Sequence, residues 1–378
     1  MIYFDNASTT NVSEKVYSAV CDEMKNCFAN PSSLHKLGFE AERKINAARE
    51  RIAAALKVNP SEVYFTSGGT EANNTAILGA AESRKRYGKR VITMQTQHPS
   101  AEESFKILSQ RGFEVITLDV DKKGYIDIGQ LEDALNEETI LVSIMSVNNE
   151  TGTIQKIEEI AAAVKKKDPK ILFHTDNVQG FGKHRINAKN IDLMSISAHK
   201  IHALKGPGAL VIKNGVRIES LIHGGEQQNG VRPGTENLYG IIAMGIACEE
   251  CFANIEENIE NVKNVKKKLL EIRDRLDGVS VNGDEDEGSP YILSLSFEGI
   301  RGEVLLHALE NEDIFVSTGS ACSSKNKKKK SVIDYLDSSK REGTVRFSFC
   351  ANNTTEEAEK CVDTLERLVE QLRKYQRR

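Results

Sequence analysis

The chain has 378 residues, 39% of them hydrophobic and 28% charged, with a formal net charge of -4. These values exclude a fibrous or disordered polymer and supply no global attraction to nucleic acid or anionic membrane, so no direct DNA binding is expected. The length exceeds one ordinary core and predicts two domains, or one large domain with a smaller satellite.

Seven cysteines, an odd number spread over a long chain, fit reduced thiols in a cytosol better than a disulfide framework. The first residues, Met1 to Asn6, turn polar at once and lack a basic stretch followed by an apolar one, so no secretory leader is expected. No apolar run is long enough to cross a bilayer. These features together predict a cytoplasmic location and no membrane contact.

Taken in chain order, Ala41, Ile45, Ala48, Ile52 and Ala55 mark an amphipathic helix. Short apolar runs follow: Val63–Phe65, Val91–Thr93, Val115–Leu118, Leu141–Met145 and Ile171–Phe173. Helical segments such as Ile128–Leu135 and Ile157–Lys166 lie between them, a pattern of a largely parallel sheet covered on both faces. Active sites of such sheets collect at the carboxyl ends of the strands. Beyond Gly240 the texture changes. Ile255, Ile259, Val262, Val265, Leu269 and Ile272 trace a long helix, and the loop Asn282–Gly288 follows it. The strands Tyr291–Phe297 and Val345–Phe349 and a last helix through Ala358, Val362, Leu365, Leu368 and Leu372 read as a small α+β domain.

Within this frame one lysine stands out, Lys200 in Ser197-Ala198-His199-Lys200. An acid, Asp176, ends the preceding apolar strand in His174-Thr175-Asp176-Asn177-Val178-Gln179. Two strand ends bearing an acid and an amine can flank one flat cofactor, and pyridoxal phosphate (PLP) needs that set. It takes a lysine for its covalent link, an acid to keep its ring nitrogen protonated and a cradle of donors for its phosphate. Read singly, Asp176 is also a plausible helix cap and Lys200 an ordinary exposed lysine.

Ser67-Gly68-Gly69-Thr70 follows a strand and opens a helix, which suits a phosphate, although tight strand-to-helix turns often need glycine for geometry alone. His98 precedes Pro99, which is expected to end regular structure and leave the imidazole at a sheet edge, where it can stack on a planar cofactor and move protons. Ser317–Ser324 surrounds Cys322 with small residues and has Lys325 and Lys327–Lys330 beside it, a setting for a travelling thiolate. Arg346, on a strand with apolar neighbours, can hold a carboxylate with its fork. Cys248 and Cys251 form a CxxC pair without a second pair, in a helical setting, so no metal is expected.

These residues, together with Tyr3–Thr10, Asn30–His35, Thr66–Asn74, Val147–Gly152, Arg232–Asn237 and Gly319–Ser324, resemble the cysteine desulfurases of the NifS/IscS group, within the class-V aminotransferases. The likeness runs nearly end to end. It implies a PLP fold type I (aspartate-aminotransferase-like) α/β large domain, taken as residues 16–250. A smaller α+β domain, 1–15 with 251–378, carries the cysteine loop. It also implies a homodimer with sites at the interface.

By that resemblance Lys200 carries PLP, His98 stacks on its ring, Asp176 holds the ring nitrogen and Gln179 bonds the phenolic oxygen. Asn149 lies beside cofactor and substrate. Gly69, Thr70, Ser197 and His199 take the phosphate with Thr235 of a second subunit, and Arg346 takes the carboxylate of L-cysteine. The implied reaction yields alanine and a persulfide on Cys322, whose sulfur passes to an acceptor protein for iron-sulfur cluster assembly or tRNA thiolation. The rivals are a selenocysteine lyase, another PLP carbon-sulfur lyase, or a sulfur-delivery scaffold with a mainly structural cofactor site. Two departures from the group's pattern stand out, the run Lys325–Lys330, expected to be a solvated loop or an acceptor-steering patch, and Pro233 where serine is common.

Overall fold

The structure, a computed structural model, describes residues 1–318 and 330–376. Its strands in chain order are β1 (Ile2–Tyr3), β2 (Val63–Thr66), β3 (Arg90–Met94), β4 (Glu114–Leu118), β5 (Thr139–Met145) and β6 (Leu172–Asp176). They continue with β7 (Leu193–Ser197), β8 (Gly208–Ile212), β9 (Val279–Asn282), β10 (Ile292–Phe297), β11 (Ile314–Phe315) and β12 (Thr344–Ser348). Among the described residues, seven strands form one sheet in the order β2-β8-β7-β6-β5-β3-β4.

The sheet is parallel except at β8, which runs antiparallel to both β7 and β2. The reason lies in the connection. Only Ala198–Pro207 joins β7 to β8, too short for the crossover that a parallel return requires. Every residue of β5, β6, β7 and β8 is buried, as expected of central strands covered on both faces.

The helices on those faces are α1 (Glu14–Asn26), α2 (Lys36–Leu56), α3 (Gly69–Arg84), α4 (Pro99–Gln110), α5 (Ile128–Ala134), α6 (Ile157–Lys167) and α7 (Leu238–Ala253). Ala41, Ile45, Ala48 and Ile52 form the buried stripe of α2, and α7 carries Leu238, Ile241, Ile242, Ala243 and Met244 into the same core. The next helix, α8 (Ile255–Leu270), bears the expected apolar face but breaks at Glu271, and Ile272–Arg275 forms a separate turn. No single helix among the described residues is long and apolar enough to cross a membrane.

A second core is built from both ends of the chain. β9, β10 and β12 form an antiparallel sheet in the order β12-β10-β9. Val262, Val265 and Leu269 of α8 pack on it with Ala358, Val362 and Leu365 of the helix Thr355–Gln376. The first residues close this unit: β1 pairs with β11, Ile2 opposite Ile314 and Tyr3 opposite Phe315. Phe4 meets Phe349 edge to face at 5.1 Å. Asp5 then bridges to Ser348, so residues 5–8 emerge at the seam between the two cores.

The seam of α2 and α7 tests the packing. A Cβ on Gly245 would lie 2.7 Å from both Cα and Cβ of Ala48. Gly245→Val is expected to lower unfolding free energy by about 1–3 kcal/mol through overpacking, with partial rescue by Ala48→Gly. Urea unfolding measures both, and an unchanged midpoint for Gly245→Val would show that the helices do not meet there.

Candidate active site

Three adjacent strands stop at one edge of the large sheet: β5 at Met145, β6 at Asp176 and β7 at Ser197. Their ends line a cavity of about 390 Å³ together with Gly69, Thr70, Asn73, His98, Asn149, Gln179, His199, Lys200, Arg346 and the backbone turn of Ala7 and Ser8. Ten of the twelve residues singled out from the sequence are therefore neighbours in space. Thr235 is exposed and does not line that cavity, and Cys322, like Lys325–Lys329, lies outside the described residues.

Lys200 closes a short 3-10 turn, Ala198–Lys200, directly after β7. Its Nζ donates to Ala7 O and to Ser8 O, each at 2.6 Å. Burial, reinforced by the charges of Lys183 and Arg346, pushes the amine down to about 7. A lysine so depressed is a nucleophile near neutral pH.

Asp176 is the last residue of β6, which runs past the expected Ile171–Phe173, and is 4% exposed. Its Oδ2 accepts from Asn73 Nδ2 at 2.6 Å and its Oδ1 from the Val178 amide at 3.0 Å. Gln179 donates from Nε2 to Ala7 O at 2.9 Å, while its Oε1 accepts from Lys183 Nζ at 3.3 Å. Lys183 is an unanticipated buried cation. Desolvation pushes it down to about 8, and its ammonium faces the Tyr291 ring at 5.8 Å.

The turn that opens α3 is built by backbone conformation. Gly68, at φ +138°, adopts a conformation that L side chains rarely reach, and a Cβ on Gly69 would approach Val178 Cγ2 to 2.7 Å. The first-turn amides of α3, at Gly69 and Thr70, have no intrahelical acceptor and carry the positive end of the helix. Ser197 Oγ beside them is buried with no hydrogen-bond partner. His199 contacts Thr9 Oγ1 through Nδ1 at 3.3 Å. Burial, then the charge of Lys200, push its imidazole down to about 4, so it stays neutral.

His98 differs from expectation in its local structure. Pro99 does not end regular structure there; it begins α4 at the first helical position, and the His98 side chain caps that helix by accepting from the Ser100 amide at 3.2 Å. Proline suits that position because its missing N–H has no intrahelical partner to lose. The cap holds the ring at the cavity wall.

Arg346, in the middle of β12, is 2% exposed. Its Nη2 donates to Asp5 Oδ1 at 2.8 Å and Ser8 Oγ at 2.7 Å, and its Nη1 to Asn149 O at 2.8 Å. Nε is buried without a partner. The fork is thus largely engaged by the protein itself. Asn149 is fixed in a turn where Asn148 Oδ1 accepts from the Glu150 and Thr151 amides at 2.9 and 3.0 Å.

Cys248 and Cys251 lie on α7, and burial pushes both thiols upward, Cys251 to about 12. Such thiols are inert ones. Among the other cysteines, Cys27 and Cys361 are buried while Cys21 and Cys350 are half-buried.

Sequence reasoning assigned no role to Asp5, Ala7, Ser8, Asn73, Ser100 or Lys183. Asn73 offered a signal, a polar amide on a buried helix among alanines. Lys183 offered none.

A planar cofactor with a phosphate fits this donor set. An unpartnered buried hydroxyl, helix-end amides, a carboxyl group and a depressed amine line one cavity. Together the sheet order and these groups define a PLP enzyme of fold type I. The family model for class-V aminotransferases matches residues 2–361, and the chain belongs to that family. A protein of Dictyoglomus turgidum named cysteine desulfurase IscS is 41% identical over 98% of this chain and 95% of its own length. One of the same name from Methanosarcina thermophila is 39% identical over 98% of this chain and 93% of its own. Among solved structures, a NifS-like protein superposes with a TM-score of 0.92 at 36% identity, covering 98% of this chain and 99% of that one. A structure described as SspA in complex with cysteine gives a TM-score of 0.82 at 32% identity, covering 92% and 99%.

The depressed amine gives a direct expectation. Deprotonation makes an amine reactive, so labelling of Lys200 by trace acetic anhydride in the cofactor-free protein should rise with pH through a midpoint near 7, while surface lysines follow near their ordinary value of about 10.4. Peptide-resolved mass spectrometry reads both, and a Lys200 midpoint shared with surface lysines would refute the burial argument.

Proposed function

We propose that the chain is a PLP-dependent cysteine desulfurase that converts L-cysteine to L-alanine and leaves the sulfur as a persulfide on Cys322. The observation that carries this reading is that Lys200, Asp176 and Arg346 line one cavity. Lys200 would hold the cofactor covalently, Asp176 would keep its ring nitrogen protonated, and Gln179 would donate to its phenolic oxygen. Gly69, Thr70, Ser197 and His199 would receive the phosphate.

PLP supplies an electron sink next to the alpha carbon of the substrate. The protein supplies everything else. Arg346 takes the substrate carboxylate and sets the position of the alpha carbon, while His98 bounds the cofactor face. Lys200, an amine close to neutrality, would take the alpha proton and return it, with Ala7 O and Ser8 O to hold it as an ammonium. The Cys322 thiolate would attack the substrate sulfur. A sulfur-sulfur bond forms as the carbon-sulfur bond breaks, the electron pair of the broken bond goes to the beta carbon, which takes the proton of the substrate thiol, and alanine leaves with the persulfide held on Cys322.

Thr235, exposed and away from the cavity of its own chain, supports a homodimer in which it serves the phosphate of the second copy. The persulfide would pass to an acceptor protein of iron-sulfur cluster assembly or to a tRNA-thiolation enzyme.

The test is incubation of the purified protein with PLP and isotopically labelled L-cysteine. One labelled sulfur should appear on the Cys322 peptide and alanine in solution. Cys322→Ser should keep the visible absorbance of bound PLP and lose the alanine, and Lys200→Ala should cut turnover at least about a hundredfold. Undiminished alanine from Cys322→Ser would remove desulfuration through this thiol and favour a lyase.

A further inference from the structure

We infer that Asn73 and Ser100 are positioning residues that join Asp176 to His98 through one directed line of hydrogen bonds, leaving the proton of the neutral His98 ring on Nε2. The functional meaning rests on the PLP reading; the line itself rests on the geometry of the chain alone.

The direction follows from counting hydrogens. Asn73 Nδ2 lies 2.6 Å from Asp176 Oδ2 and 2.9 Å from Ser100 Oγ. An amide nitrogen has two hydrogens and no acceptor capacity, so both are committed. The opposite orientation of the amide would set its oxygen against a carboxylate oxygen at the same short distance, which is repulsive. The nitrogen therefore faces the acid. Asn73 Oδ1 is left buried with no partner, a cost that a side chain 1% exposed bears only where its other end is strongly bound.

Ser100 Oγ accepts from Asn73 and so keeps its own hydrogen for a further acceptor, and His98 Nδ1 lies 2.8 Å away. The backbone amide of Ser100 donates to that same nitrogen at 3.2 Å. Two donors converge on Nδ1. It must present its lone pair, and a neutral ring then carries its hydrogen on Nε2.

Two consequences follow for the cavity. The carboxylate of Asp176 is fixed from two directions, by Asn73 at Oδ2 and by the Val178 amide at Oδ1. His98 is a donor at Nε2 with a clamped ring plane, and it can take a proton at Nδ1 only by breaking its bonds to Ser100. The ring is thus set for stacking and donation rather than for general-base work through Nδ1.

The test uses the full-length chain loaded with PLP and labelled with 15N-histidine, read by long-range proton-nitrogen spectra above neutral pH. His98 resonances are assigned by their loss in His98→Gln. The expected spectrum shows His98 with hydrogen on Nε2; Ser100→Ala should move the Nδ1 resonance downfield, and Ser100→Thr should restore it. Asn73→Ala should weaken PLP binding about tenfold, as expected for one lost bond to a buried charge. A wild-type ring protonated on Nδ1 overturns the proposal, as does a folded Asn73→Ala protein that binds PLP as tightly as wild type. If the wild-type chain takes up no PLP, the functional reading fails while the spectrum of the same unloaded chain still decides the tautomer.

Discussion

The hydrogen bonds of the turn at residues 5–8 are the joint on which the active site depends. Two backbone carbonyls of this turn hold the Lys200 amine, one of them also fixes Gln179, and Asp5 and Ser8 hold the Arg346 guanidinium. Lys200 and Gln179 belong to the large sheet's core and Arg346 to the small one, so the turn sets the distance between the amine and the guanidinium. The turn is in turn bolted to β12: Ala7 N donates to Ser348 Oγ at 2.9 Å, and Asn6 Nδ2 donates to Ser348 O at 3.1 Å. Carbonyl acceptors suit this place because they stabilise an ammonium without adding a charge that would pair with it permanently.

The charge balance of the cavity explains its choice of ligand. Lys183, Lys200 and Arg346 bring basic groups to a buried region where Asp5 and Asp176 are the acids. Desolvation disfavours the charged amines, and the arginine satisfies its fork with protein oxygens while its Nε remains unpartnered. A ligand bearing a phosphate and a carboxylate would relieve these strains together. The phosphate end would meet helix amides and a lone serine hydroxyl, and the carboxylate end would meet a guanidinium that gives up an internal partner to receive it. A cysteine desulfurase needs both anions held at once.

Much of this was legible from the chain alone, because the chemistry rests on residues in short local contexts. Lys200, Asp176 and Gly69 follow strands whose apolar runs are plain, and the alternation of strand and helix fixes which ends they share. The antiparallel β8 was less legible, since its direction depends on the length of a loop and not on its own composition. The line through Asn73 and Ser100 was invisible for another reason: it joins residues from α3, α4 and β6 whose proximity exists only after the sheet has formed. His98 showed both cases. Its presence at the cavity was expected, but the role of Pro99 as a helix starter turned on the segment that follows.

Stitching β1 to β11 and the turn to β12 has a consequence for biosynthesis. Residues 2–8 leave the ribosome long before their partners at 314–348. Long-range pairing of this kind delays completion until those partners are free. Chains terminated before residue 314 would thus keep Lys200 but leave the carbonyl turn undocked and lack the guanidinium, and a reactive sulfur-transferring catalyst would be switched on only once that stretch is made.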